Sequence, residues 1–419
     1  MTGDNKNNPD AIVVGAGVIG MSVAVALQNR GLNVLVLDRK GVAAETSRGN
    51  AGALTFSSVD PHNSPSVIRK VPKWFFDPMG PFSIPARYAI QATPWLLRFV
   101  SASRPSRVAR TREALAALME YCRDDLQDFS KMAGTHNLLH NDGGLEIYDT
   151  EGEFNAAIRS WERRQDLGMT FEPVRGAKAI SDYQPGLDPK FQYAIHTKIW
   201  QGVSDPLDYV EALGETFRAR GGDIEICGVD ALENRPEGCQ VKLGDGRTLS
   251  TKNAIICAGA WSHTLAQKLG DKIPLEAERG YNTTLPPAAL DLKRAVTFAS
   301  HAFFMTRLTS GIRIGGAVEL GGLTLPPNFT RADALLAKAK SFFPDLKTED
   351  GKQWMGHRPC LPDNLPVIGK SPNAQNIIYA FGHGHYGLTQ SAGTGKLVAA
   401  LVFDETPPID MAPYRPDRF

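Results

Sequence analysis

Gly15, Gly17 and Gly20 stand in the run GAGVIG, directly after the apolar stretch AIVV at 11–14 and at the opening of an amphipathic stretch from Val18 to Asn29. Strand, glycine turn and helix start in that order suit the holding of a pyrophosphate. The first glycine permits the tight turn, the second lets backbone approach the phosphates, and the third lets helix pack on strand. The helix start, with Val18 and Ile19 in its first turn, adds unpaired N–H groups. Asp38 closes a second apolar run, VLVL at 34–37, and Arg39 follows it. A carboxylate there accepts both hydroxyls of an adenosine ribose and repels a 2′-phosphate. These residues point to a dinucleotide but do not separate FAD from NAD, because both carry the same adenosine diphosphate half.

A second glycine cluster lies near the C-terminal end, where Gly382, Gly384 and Gly387 precede the helical stretch LTQSAGTGKLVAALV. Such a turn brings backbone close to something flat and leaves the N–H groups of the helix start free. A helix dipole aimed at the pyrimidine end of a flavin stabilises the negative charge of its reduced form, a need that a nicotinamide lacks. Glycines at a turn also serve structure alone. Histidines 62, 301, 357, 383 and 385 show no metal-ligand spacing with a carboxylate in register, so no metal site is expected. The five cysteines, at 122, 227, 239, 257 and 360, form no CxxC pair, and their odd number argues against a disulfide framework.

The chain around these residues has 419 positions, enough for one large core or two smaller ones, and two domains are expected. Lysine and arginine total 46 against 45 acidic residues, which gives no basic surface for a nucleic acid partner. The polar start MTGDNKNNPD lacks the pattern of a signal peptide and reads as a frayed tail over 1–9. A cytoplasmic location is the expectation. No apolar run reaches the length of a membrane span. The segment from Trp74 to Val100 is nevertheless rich in aromatic and aliphatic residues, with Lys70, Lys73, Arg87, Arg98 and Arg104 around it. It reads either as core helices broken by prolines or as a surface that docks on the inner face of the cell membrane.

Apolar periodicity predicts a strand at 11–14, a helix at 18–29 and a strand at 34–37, then extended chain through ETSRGNAG. A long surface helix is expected over 105–132, and from Gly143 short strands and turns. A helix closing on Gly221 and Gly222 follows, then a strand and a hairpin around the GDG turn at 244–246. Residues 253–262 read as strand, Gly-Ala turn and helix start, 275–320 as strands, 330–343 as a helix, 376–381 as a buried strand and 387–403 as a terminal helix. The expected fold is α/β: a Rossmann-like dinucleotide-binding domain from 10–60, 175–275 and 350–405. An interleaved α+β substrate domain, 61–174 and 276–349, is built on a mixed, largely antiparallel sheet.

Together these stretches resemble the D-amino acid oxidase superfamily of FAD-dependent oxidoreductases, and within it most of all the bacterial D-amino acid dehydrogenases. The motifs that carry the resemblance are GAGVIG with Asp38, ETSRGNAG (45–52), CAGAWS (257–262), ERGY (278–281), WMGHRPCLPDNLPVIG (354–369) and GHGHYGLT (382–389). The resemblance implies non-covalent FAD, with Thr46, Ser47 and Arg48 along the pyrophosphate and Asn50, Ala51 and Gly52 beside the isoalloxazine. It also assigns cofactor contacts to Ala258, Gly259, Trp261, Gly382, His383, Gly384, Gly387, Leu388 and Thr389. Similarity to glycine oxidases makes Arg358 the clamp on a substrate carboxylate, where a bidentate pair fixes which face of Cα meets the flavin. His385 stands where those enzymes have a second arginine. Tyr281 and Tyr386 are candidate lid or carboxyl-contact hydroxyls, with a buried structural role as the alternative for each. Cys360 reads as a small buried residue, the alternative being the flavin-bonded cysteine of monomeric sarcosine oxidase.

The implied activity is removal of a hydride from the α-carbon of a small amino or imino acid, giving an imino acid that water hydrolyses to a 2-oxo acid and ammonia. Electrons then pass to a quinone, the respiratory chain or O2. Two other assignments stay open, an oxidase of glycine or sarcosine type and the flavoprotein subunit of a D-hydroxyproline or opine dehydrogenase complex with partner subunits.

Overall fold

The structure, a computed structural model, describes residues 9–64, 80 and 82–419. The elements that position the site are, in chain order, β1 (Ala11–Val14), α1 (Val18–Asn29), β2 (Val34–Asp38), α2 (Ala89–Ala102), α3 (Pro105–Met132), β3 (Asp223–Ile226), β4 (Asn253–Ile256), β5 (Glu276–Leu285), β6 (Gly311–Leu320), β7 (Lys352–Cys360), β8 (Val367–Lys370), β9 (Ile377–Phe381) and α4 (Gly387–Val402).

Six strands form one sheet in the order β3-β2-β1-β4-β9-β8, parallel throughout except that β8 runs antiparallel to β9. The runs AIVV, VLVLD, NAII and IIYAF carry almost no polar residue because both faces of this sheet are covered. Alternation divides them. Val13, Val34, Val36, Ile255 and Ile378 pack with Met21, Val25 and Leu397 of α1 and α4 and with Leu118 and Phe129 of α3. Ile12, Val14, Leu35, Leu37, Ile256 and Tyr379 face the other way, against Val241, Leu243 and Leu265.

The larger sheet has nine strands. Its path runs β7-β5-β6, then Phe303–Leu308, Ala295–Phe298, Gly144–Tyr148, Tyr193–Thr197 and Glu172–Arg175, and Phe82–Ser83 pairs with the end of β6. Most neighbours are antiparallel, so the expected mixed α/β architecture is found. Leu285, Ile312 and Ile314 from this sheet pack with Phe298, Phe303 and Phe342 in a separate core.

Four expectations are corrected. Strand β7 pairs along its whole length with β5, from Glu276↔Cys360 to Thr284↔Lys352, so 352–360 belongs to the large sheet and not to the nucleotide layer. Tyr193–Thr197 pairs there too, with Gly144–Tyr148. The region after Gly143 also holds a helix, Glu151–Gln165, which Thr150 caps by accepting the Glu153 N–H. Of the expected tail, 1–8 lies outside the described residues, whereas Pro9 is buried and its carbonyl accepts the Thr251 hydroxyl. In the Trp74–Val100 segment, 74–79 and 81, with Lys70 and Lys73, also lie outside them.

Candidate active site

A cleft enclosing about 1510 Å³, open mouth included, lies at the carboxyl ends of β1, β2, β4 and β9. Ligands bind at this edge of an open α/β sheet because the connecting loops diverge there. Gly15, Gly17, Val18, Ile19, Asp38 and Arg39 line it, with Thr46, Ser47, Asn50, Ala258, Gly259, Trp261, His383, Gly384, Gly387 and Leu388. Two helix N-termini open on it. Neither Gly17, which precedes α1, nor Tyr386, which precedes α4, caps its helix with its own side chain. Both helices therefore offer backbone N–H groups and a positive dipole end to an anion.

The glycine turn is bare for reasons of space. At Gly15 the backbone has φ +113°, and a methyl group there would lie 2.4 Å from the Cys257 carbonyl oxygen; one at Gly20 would lie 1.8 Å from the Gly15 carbonyl oxygen. Gly20 thus serves helix-to-strand packing and does not line the cleft. Asp38 accepts the N–H groups of Ala16 (2.8 Å), Lys40 (2.8 Å) and Gly41 (2.9 Å), which fixes its carboxylate at the cleft wall with acceptor capacity left. Ser47 Oγ accepts the Val18 N–H at 2.9 Å, tying the 46–49 turn to the start of α1. The guanidinium of Arg39 stacks on Trp261, 3.8 Å from the ring centroid. An elongated anion with an adenosine end fits this set of donors, dipoles and bare backbone.

The remaining expected contacts play other parts. Arg48 is exposed, and its carbonyl accepts Arg313 Nη1 at 3.1 Å. Gly52, with φ +76°, faces Leu308 rather than the cleft; Ala51, beside it, does not line the cleft either. Gly382, with φ +84°, leaves room for Leu361, where a methyl group would lie 2.3 Å from Cδ1. Thr389 is buried, its hydroxyl accepting the Thr55 N–H.

A charged face adjoins this layer on the large sheet. Strand alternation puts Glu276, Glu278, Gly280, Asn282 and Thr284 of β5 on one face, and register sets Glu278 directly opposite Arg358 on β7. The Arg358 guanidinium lies over Gly280, where a methyl group would come within 2.2 Å of Nη2. Its Nη1 donates to the Ala317 carbonyl at 3.3 Å, and among the described residues it has no ion-pair partner. Glu278 Oε2 instead accepts from His385 Nε2 at 2.8 Å. Burial pushes the Glu278 carboxyl up, but the His385 hydrogen bond and the nearby His385, Arg358 and His62 charges outweigh it and hold it at about 2. Glu278 is therefore an anion at any neutral pH. Tyr386 comes to the same place, its hydroxyl 3.1 Å from His62 Nε2, and the His62 and His385 rings lie 4.6 Å apart.

Tyr281 is not part of that face. It sits on the opposite side of β5, where its hydroxyl donates to Glu319 at 2.9 Å and accepts the Asn328 N–H, and Arg279 is buried beside it against the same glutamate. Cys360, opposite Glu276, brings its sulfur within 4.8 Å of ligand atoms of Glu278 and His385. Those three are metal-ligand types. Burial pushes the thiol pKa well up, however, which keeps Cys360 as a thiol rather than the thiolate that ligates a metal.

Sequence reasoning missed Glu278, Gly280 and Arg313. The first two lie inside the ERGY motif, and a period of two along β5 separates them from Tyr281 without any structure. Arg313 had no such signal. It is buried on β6 and donates to the Arg48 and Asn50 carbonyls, while Asn282 donates to the Gly49 carbonyl and the Thr46 hydroxyl donates to the His357 carbonyl. The large sheet thereby pins the 46–50 turn against the cleft.

A family model described as DAO, FAD dependent oxidoreductase, matches residues 10–401. A D-amino-acid oxidase of Bradyrhizobium diazoefficiens is 31% identical over 417 residues, covering 97% of this chain and 98% of that one. Among solved structures, glycine oxidase from Geobacillus kaustophilus superposes with a TM-score of 0.75 at 22% identity, over 99% of each chain. L-Proline dehydrogenase from P. horikoshii superposes with a TM-score of 0.74 at 18% identity, over 99% of this chain and 98% of that one.

Proposed function

The chain belongs to the DAO family of FAD-dependent oxidoreductases, and on that premise we propose that it dehydrogenates a small amino or imino acid, in the manner of a D-amino acid dehydrogenase. The observation that carries the reading is Arg358, a guanidinium on the inner face of the large sheet without an ion-pair partner among the described residues. Leaving such a cation unpaired costs free energy that a ligand carboxylate recovers.

When bound, FAD supplies the acceptor for a hydride from the substrate α-carbon. The chain supplies the rest. The Gly15–Gly17 turn, Ser47 and the starts of α1 and α4 hold the dinucleotide, with Asp38 at its ribose. Arg358 holds the substrate carboxylate and so fixes the orientation of the neighbouring C–H bond. Catalysis in this reading is positioning and electrostatics, with no strong base required at Cα. The released imino acid hydrolyses in water to a 2-oxo acid and ammonia.

The electron acceptor is a quinone or the respiratory chain. A second reading, O2 as acceptor, draws support from the oxidase name of the 31% identical relative. A reversible contact with an anionic membrane belongs to the first. Helix α2 exposes Ile90, Leu97 and Val100, and Arg87, Arg98, Arg104, Arg107 and Arg110 are exposed around it, with no acidic residue from Phe82 to Arg112. Among the described residues no helix is long and apolar enough to cross a membrane.

The test is anaerobic mixing of the flavin-loaded protein with a panel of D-amino acids, L-amino acids, sarcosine and prolines. Bleaching of the visible flavin band by at least one D-amino or imino acid is expected, and reoxidation by a quinone faster than by air separates the two acceptors. A flavin that no member of the panel bleaches contradicts the assignment.

A further inference from the structure

Opposite charges at facing positions of an antiparallel pair ordinarily meet. Glu278 and Arg358 face each other on one side of β5 and β7 and do not. Arg358 turns over Gly280 toward the Ala317 carbonyl. Glu278, its side chain only 14% exposed, turns to His385 and also has the Cys360 thiol beside it. Two full charges of opposite sign are thus held side by side, each by groups other than its opposite number. A carboxylate has about four lone-pair positions and a guanidinium five N–H donors, so both keep capacity for a ligand.

We propose that Glu278 is the cation-recognising half of the substrate site, receiving the ammonium of a zwitterionic α-amino or imino acid whose carboxylate Arg358 holds. The inference rests on the reading of Arg358 given above and sharpens it into a substrate class. An amino acid carries its two charges on adjacent groups, as these strands present theirs. A plain carboxylate satisfies Arg358 and leaves the remaining acceptor positions of Glu278 unfilled, and a 2-hydroxy acid offers them a neutral hydroxyl in place of a cation, so the site favours the amino acid over both. His385 acts as a positioning residue: its Nε2 holds Glu278 Oε2 and keeps the carboxylate from swinging across to Arg358.

The experiment measures binding to the FAD-loaded protein by perturbation of the flavin spectrum and by thermal shift. Glycine, D-alanine and D-proline are each compared anaerobically with acetate, propionate and cyclopentanecarboxylate. Glu278→Gln should weaken the amino acids by roughly 10- to 100-fold while the nitrogen-free acids bind as well as before or better. Glu278→Asp should retain part of the preference, because it keeps the charge on a shorter stem. In turnover the bound ammonium first gives one proton to water, and the neutral amine then expels the hydride from Cα, so the loss in Glu278→Gln should fall on KM rather than kcat. Equal loss of both ligand series in Glu278→Gln, or loss of neither, overturns the proposal. Wild-type protein that binds the plain acids as tightly as the amino acids overturns it also, while leaving the Arg358 clamp standing. If neither series binds the wild type, the clamp itself fails.

Discussion

A single guanidinium carries most of the chemical argument at the scale of residues. Arg358 is placed by its register opposite Glu278 and by the bare backbone of Gly280 beneath it. Replacing Arg358 with Leu should raise KM for the best substrate by roughly 100-fold, the worth of a charge-assisted carboxylate pair, with flavin content unchanged. Gly280→Ala should act in the same direction but less, because its methyl group displaces the guanidinium without removing it. Steady-state kinetics beside the flavin-to-protein absorbance ratio checks both, and near wild-type KM in Arg358→Leu contradicts the clamp. The order of the motifs grouped Arg358, His385 and Tyr386 in the sequence, and the structure brings the three near one another. Tyr281 takes the buried structural role that was its alternative reading, because a strand sends alternate residues to opposite faces and its hydroxyl goes to Glu319. Arg313 was not legible, since a lone arginine in an apolar strand carries no local sign of the carbonyls it will hold.

At the scale of elements, the periodic segments were read almost to the residue. Helices Val18–Asn29 and Pro105–Met132 and the buried strand Ile377–Phe381 have strong apolar periods and clear punctuation. Helix Glu151–Gln165 was not read, because only Phe154, Ile158 and Trp161 mark its inner face within a charged run. Thr150 with Glu153 three residues later was the available signal. Helix α2 is the element whose sequence most exceeds its role in the fold. Trp95 and Ala92 are buried, yet Ile90 is 87% and Leu97 67% exposed. Co-sedimentation should show binding to vesicles containing anionic lipid, weakened by added salt and by the double change Ile90→Ser, Leu97→Ser with turnover of soluble acceptors retained. Equal binding to neutral and anionic vesicles, or none to either, contradicts the membrane contact.

At the scale of the molecule, two sheets with separate cores meet along one seam, and the 46–50 turn lies in it. The nucleotide layer was legible because parallel strands buried on both faces must read as unbroken apolar runs. The partition of the chain between the layers was less so. Pairing of β7 with β5 joins segments some seventy residues apart, and no local pattern announces which sheet a strand will enter. That pairing brings Arg358 into the charged face, so the account depends on it more than on any other contact. The most direct measurement is a crystal structure of the FAD-loaded protein with an amino acid or its carboxylate analogue. The ligand carboxylate is expected within ~3 Å of the Arg358 guanidinium, and the adenosine end of FAD beside Asp38 and the Gly15–Gly17 turn. A ligand bound with its carboxylate on any other group, or a dinucleotide that leaves that turn untouched, would contradict it.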